Sequence, residues 1–158
     1  PNDPEGRRAG WSLLPTAGNR DLKWVDAILE TARTEWKADP RRVFSMGHSN
    51  GAAFTYLLWG QRPDTFAALA SVAGAGARLT RGARPCPLLH VGAKNDAIVR
   101  WESQEAAVDA ARAINGKDAP VEVALHEGGH AYPDHASRRV VAFFRRHTKA
   151  PVRETDRP

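Results

Sequence analysis

Apolar residues return at helical spacing after Asp21, with Leu22, Val25, Ile28, Leu29, Ala32 and Trp36 on one face of a predicted helix. Asn19 or Asp21 suits its start, and Asp39-Pro40 stops it, because proline disfavours helical geometry in the residue before it. The period then changes. Val43 to Met46 is a short run of apolar and β-favouring residues that breaks off at Gly47-His48-Ser49-Asn50-Gly51. From about Ser49 to Arg62 a small-residue helix pattern follows, with Ala52, Ala53, Tyr56 and Leu57 suited to burial and Pro63 closing it. Phe66 to Ala73 is a continuous apolar run ended by Gly74 and Gly76, short enough for a strand buried on both faces. Pro87 to Val91 predicts another buried strand, Glu102 to Ile114 a helix stopped by Asn115-Gly116, and Val121 to Leu125 the last strand. A final helix, capped by Asp134, turns Val140, Val141, Phe143 and Phe144 inward.

Strands that alternate with helices in this way predict an α/β chain: about four parallel strands with helices on both faces. Residues 21–147 form the single expected domain. Residues 1–20, with three prolines and three glycines, read as an irregular lead-in, and residues 148–158 as a polar tail. A length of 158 residues bounds the chain to one domain. The net charge of +5 comes from scattered pairs such as Arg7-Arg8, Arg41-Arg42, Arg138-Arg139 and Arg145-Arg146, which read as solvated faces, so no nucleic acid is expected as a partner. Cys86 is the only cysteine, which leaves no partner for an intrachain disulfide and no cysteine-built zinc site. No apolar stretch approaches a membrane span, no His and carboxylate cluster has metal-ligand spacing on one element, and no dinucleotide or phosphate-loop motif occurs. No cofactor, metal or membrane is therefore expected. The sequence begins at Pro1 and reads as a processed, trimmed or recombinant form.

The chemistry gathers around the pentapeptide Gly47-His48-Ser49-Asn50-Gly51. A strand before it and a helix after it make the pattern of a nucleophile elbow. The sharp turn exposes the Ser49 hydroxyl, Gly47 and Gly51 permit strand and helix to pass closely, and the helix start turns the N–H of Asn50 toward charge developing on a carbonyl oxygen. In a parallel sheet the ligand site lies at the carboxyl ends of the strands. Ser49 follows the first strand, Asp96 lies in the loop after the third and His130 in the loop after the fourth, so all three are expected on one edge. His130 would act as base and Asp96 would fix its tautomer.

Each place has a rival. Asp109 lies mid-helix and Asp118 before a strand, at the wrong edge. Among the six histidines, His90 is expected to be packed within its strand, and His147 sits at a helix end where its charge suits the dipole. His126 and His135 flank the site. His130 is preferred over His126, next in line, because two glycines free its loop. His48 is expected to shape the pocket, and Trp101, Tyr132 and Trp59 to contact substrate or fill core.

The segments Asp21 to Ala27, Asp39-Pro40-Arg41-Arg42-Val43, Gly47 to Gly51, Phe66-Ala67-Ala68, Gly92 to Val99 and Gly128-Gly129-His130-Ala131-Tyr132-Pro133 resemble the polyhydroxybutyrate depolymerase and feruloyl esterase branch of the α/β-hydrolases. The resemblance runs from about residue 20 to 146. It implies a reduced α/β-hydrolase core and a serine esterase for short acyl esters, hydroxyalkanoate oligomers or polymers, or acetyl and feruloyl groups on plant polysaccharide. Secretion is common in that branch. Its members carry, ahead of the matching region, several strands and a His-Gly type loop that supplies one of two oxyanion donors, and this sequence has no counterpart of either.

Two expectations follow from that difference. The N–H of Asn50 remains as one donor, with the second drawn from the lead-in, a rebuilt loop, water or another chain. The strand at Val43 becomes an apolar edge, covered by residues 1–20 or by a second copy in a homo-oligomer. The functional alternative is an incomplete or catalytically weak hydrolase-fold binding module that needs a partner chain. A peptidase or thioesterase would use the same triad, but the resemblance favours an esterase.

Overall fold

The computed structural model describes residues 10–149. Its sheet has four strands, β1 (Phe44–His48), β2 (Ala68–Val72), β3 (Leu88–Gly92) and β4 (Val121–Leu125), paired in chain order and all parallel. Four helices accompany them: α1 (Arg20–Thr34), α2 (Asn50–Gln61), α3 (Trp101–Asn115) and α4 (Ala136–Arg145). The expected parallel α/β sheet with helices on both faces is therefore present. One interruption departs from strict alternation. Between β2 and β3 the chain makes only a 3₁₀ turn, Ala77–Thr80, seated against α2. Gly60 makes that seat possible, because a Cβ there would collide with the carbonyl oxygens of Leu79 and Arg81.

Side chains alternate across the pleat and so build two cores. Leu69 and Leu88 face α2 and α3 and join Tyr56, Leu57, Ala107 and Ala111. Ala68, Ala70, Val72, Leu89 and Val91 face the other way, onto Ala136, Val140 and Phe143 of α4. β2 and β3 are buried at every position, as their unbroken apolar runs demand. α2 is buried from Ala52 to Gly60, since the sheet lies on one side of it and Trp11 stacks on Phe54 at 4.5 Å on another.

The lead-in is held down by side chains. Asn19 accepts the N–H groups of Asp21 and Leu22 as the N-cap of α1, and it also donates to the carbonyls of Ser12 and Leu14. The buried Asp21 accepts the N–H of Ser12 at 2.7 Å. The face expected to be apolar on α1 is less buried than its periodicity suggests. Leu22 is fully packed, whereas Ile28 is exposed, and Trp36 lies beyond the helix end and is 69% exposed. Other corrections are local. α4 begins after His135, which makes no side-chain cap, so Asp134 is not the cap, and Val141 points outward. The part of the expected lead-in at 1–9 and of the tail at 150–158 lies outside the described residues.

Parallel register aligns the carboxyl ends of the strands. His48 pairs with Val72, Val72 with Val91 and Gly92 with Leu125. The loops that leave β1, β3 and β4 therefore emerge along one edge.

Candidate active site

Three loops meet on that edge. At the first, Ser49 takes φ 55° and ψ −119°, a conformation that side chains other than glycine adopt only under strain. Gly47 allows it, for a Cβ there would overlap the backbone of Gly51. Opposite, His130 brings Nε2 to 2.9 Å from Ser49 Oγ and Nδ1 to 2.9 Å from Asp96 Oδ2. The structure thus joins the three residues that the sequence singled out.

Proton positions in this chain follow from the acceptors. An ionised carboxylate can only accept, so His130 carries its hydrogen on Nδ1 and offers a lone pair on Nε2, toward which the Ser49 O–H donates. Asp96 is ionised for a physical reason. Burial pushes its carboxyl up, but hydrogen bonds from His130 and from the N–H groups of Val99 and Ile98 together outweigh burial and leave it below the ordinary carboxylate range. Its side chain is fully buried, while that of His130 is 14% exposed and reachable from solvent.

The loop that carries His130 is braced twice. Asn95 donates through Nδ2 to the carbonyl of Glu127 at 2.8 Å and accepts the N–H of Gly129 through Oδ1 at 3.2 Å. Gly129 sits at φ 64°, which lets the loop turn back over the sheet edge. His126, the rival base, accepts the Gly128 N–H through Nδ1, so it supports the loop rather than reaching Ser49.

His48 lies beside His130, with ring centroids 5.1 Å apart, and Tyr132 meets His48 edge-on at 6.1 Å. Burial lowers the His48 pKa and the adjacent His130 adds to the effect, against a smaller opposing pull from Asp96. Trp101 is placed differently, edge-on to His90 at 6.2 Å. Trp59 is core, fully buried with its indole N–H on the Arg84 carbonyl. His147, expected to set charge at the helix end, packs its ring on Phe143 at 4.5 Å, and burial and Arg146 lower its pKa. Cys86 is buried and its thiol pushed up to about 12, which leaves it inert.

On the other flank, Asn50 exposes its side chain and grips the lead-in. Its Oδ1 accepts the Trp11 N–H at 2.6 Å and its Nδ2 donates to the Trp11 carbonyl. Its backbone N–H belongs to the first turn of α2, where helix donors have no partner within the helix. Beside it a groove runs along β1, lined by Trp11, Val25, Met46 and Phe54. Among the described residues β1 is an end strand of the sheet, paired to β2 alone, and Met46 is 45% exposed.

Three residues that the sequence did not tie to the site bond to or behind it: Asn95, Gln104 and His90, the last packed within its strand as expected. Gln104 donates through Nε2 to Asp96 Oδ2 at 3.0 Å and accepts at Oε1 from His90 at 3.1 Å. Its signal was available, since Gln104 is a polar residue in register with Ala107, Val108 and Ala111 on the buried face of α3. Among the described residues, no group of His, Cys, Asp and Glu has the arrangement to hold a metal ion, and no helix is long and apolar enough to cross a membrane.

The prolyl oligopeptidase family model matches residues 9–80. A bifunctional acetylxylan esterase/xylanase from Neocallimastix patriciarum is 31% identical over 97 residues, covering 61% of this chain and 14% of that protein. An acetylxylan esterase from Coprinopsis cinerea is 33% identical over 76 residues, covering 45% of this chain and 20% of that protein. Among solved structures, the Bacillus cereus carboxylesterase superposes with a TM-score of 0.67 at 17% identity, over 79% of this chain and 59% of that one. The chain spans only part of each of these proteins. The fold is a reduced α/β-hydrolase core.

Proposed function

We propose that this chain hydrolyses carboxylic esters through an acyl-enzyme, with Ser49 as nucleophile, His130 as general base and acid, and Asp96 as the group that orients and steadies the imidazolium. One observation carries the proposal: a serine at positive φ on a strand-to-helix turn, hydrogen-bonded to a histidine that is itself hydrogen-bonded to a buried carboxylate. That arrangement has a use in acyl transfer and none in packing, since a serine held at strained φ and a buried charge both cost stability.

The steps follow from the proton positions. His130 Nε2 takes the Ser49 proton as Oγ attacks the acyl carbon, and the tetrahedral oxyanion faces the N–H of Asn50 at the start of α2. His130 then returns the proton to the departing alkoxide, which leaves as alcohol. Water repeats the sequence in reverse roles, releasing acid and freeing Ser49.

Acetyl and other short acyl esters suit the site best among the substrates considered. Two relatives are named for acetylxylan, and His48 and Tyr132 stand over the His130 side of the elbow. Hydroxyalkanoate and feruloyl esters, suggested by the resemblance of the Gly-Gly-His loop, are the next substrates to try. The prolyl oligopeptidase match favours a second reading, amide hydrolysis by the same three residues.

The test is hydrolysis of p-nitrophenyl acetate, p-nitrophenyl butyrate, acetylated xylan and an aminoacyl anilide by the chain and by Ser49→Ala. Ester turnover that falls about 10⁴-fold or more in the variant supports the proposal. Anilide cleavage that outpaces ester cleavage selects the peptidase reading. Equal background rates in both proteins overturn catalysis and leave a binding module.

A further inference from the structure

Behind the Ser49–His130–Asp96 chain a second line of hydrogen bonds runs into the core. Asp96 Oδ2 accepts from His130 and also from Gln104 Nε2 at 3.0 Å. Gln104 Oε1 faces His90 Nε2 at 3.1 Å, and His90 Nδ1 faces the hydroxyl of Tyr56 at 3.4 Å. Tyr56 lies on α2, the helix that begins directly after Ser49. The line therefore returns to the element it left: elbow, His130, Asp96, Gln104, His90, Tyr56 and along α2 to the elbow again.

The orientation of every group in this ring is determined. Gln104 Nε2 faces two acceptors, Asp96 Oδ2 and the Val99 carbonyl at 2.6 Å. A flipped amide would set three acceptors against one another, so the amide nitrogen must face them and Oε1 must face His90. His90 accordingly carries its hydrogen on Nε2 and accepts from Tyr56 on Nδ1. Burial drives its pKa down to about 4, in keeping with a neutral ring. Gln104 and His90 are fully buried, and all polar atoms of the glutamine are used. Space is reserved for them, because a Cβ at Gly92 would lie 2.8 Å from His90 Nε2 and nearer still to Gln104 Oε1.

We propose that Gln104, locked by His90, is a positioning residue for the reaction: it holds Asp96 in one rotamer and draws charge from the oxygen that supports His130. The role rests on the esterase reading of Ser49, His130 and Asp96. A glutamine that merely tied α3 to the loop could bond the Val99 carbonyl alone. Gln104 also shares Oδ2, the oxygen His130 uses, so its N–H weakens the carboxylate's hold on the imidazolium. Its loss makes Asp96 more basic, holds the proton on His130 to higher pH and lets the carboxylate wander.

Gln104→Met keeps the volume and removes the amide. In that protein kcat for p-nitrophenyl acetate is expected to fall about 10- to 100-fold with KM nearly unchanged. The acid limb of the kcat/KM profile is expected to move up by about half a unit to one unit. Gln104→Glu separates position from charge. A carboxylic acid there must keep its proton to face Asp96 and has one O–H for the two acceptors that Nε2 serves, so kcat at neutral pH is expected to lie between the parent and the methionine variant and to decline further in alkali, where the parent is level. If the methionine variant does not fold, the glutamate variant carries the comparison. The His130 ring is titrated by NMR in parallel, a readout that needs no turnover. Absent ester hydrolysis in the parent chain would defeat the esterase reading, and the titration would still decide the coupling. Folded variants with parental kcat, pH limb and His130 titration, whatever their melting temperature, would overturn the proposal and leave Gln104 as packing.

Discussion

Asn95 precedes the carboxylate and hydrogen-bonds to neither the Ser49 nor the His130 side chain, yet it ties together the loops that bear Asp96 and His130. Both of its side-chain groups are spent on residues 127 and 129. It is exposed, so removing it uncovers no core. Asn95→Ala should therefore cost less than about 1 kcal/mol of stability, while loosening the placement of His130 by enough to lower kcat roughly tenfold. Steady-state kinetics beside a thermal melt check both halves, and a melt that moved while kcat stayed would reassign Asn95 to stability. The histidines teach the same lesson about partners. His126 resembles His130 in being polar, near the last strand's end and close to glycines, but its Nδ1 is occupied by Gly128. Sequence spacing put His130 first only because a Gly-Gly pair precedes it, and no spacing could have revealed the Gly128 N–H that His126 already accepts.

Elements were legible wherever one face was unmistakably buried. β2 and β3 have unbroken apolar runs and stand in the middle of the sheet, so their existence followed from composition alone. α1 was harder. Its helical repeat is real, but the partner for most of that face is missing among the described residues, and Trp24, Ile28 and Trp36 stand exposed. Periodicity reports what a helix could bury and not what is there to bury it. What fastens this element is a small set of contacts: Leu22 and Val25 on the core, the paired Asp26 and Arg62, Ser12 bonded to Asp21, and Trp24 packed on Trp11, which in turn stacks on Phe54. The ion pair is partly solvated and contributes at most about 1 kcal/mol. Trp11 accounts for more, so Trp11→Ala should destabilise by about 2 kcal/mol, a discount for half-burial on the usual core value. Hydrogen exchange would locate the loss: faster exchange confined to α1 is expected, with α2 and the central strands unchanged. Uniform acceleration across the sheet would show instead that the lead-in is part of the main cooperative unit.

On the scale of the whole molecule the site and the core share one buried histidine, and stability should carry its mark. That Ser49, Asp96 and His130 would meet was legible because parallel strands send their loops to one edge, so residue type and order sufficed to bring them together. The ring behind it was not, because His90, Gln104 and Tyr56 lie on three elements and meet only after packing. His90 is neutral in the fold, with burial lowering its pKa from an ordinary 6.5 to about 4. The unfolded chain protonates this residue near pH 6.5 while the folded one resists until about 4, so the unfolded state binds more protons throughout that window. Stability is complete above it and is lost as pH falls through it, by about 3 kcal/mol for His90 alone. His48 and His147, also lowered by burial, act in the same direction. Asp96, held below its ordinary range, adds a further loss at lower pH. Urea unfolding at pH 7.5 and pH 4.5 should therefore show a marked drop in the parent chain. His90→Asn starts less stable, since a Tyr56 or Gln104 partner is lost, but its stability should change far less between the two pH values. An undiminished drop in that variant would place the acid sensitivity on the other histidines and leave His90 as a spectator of it.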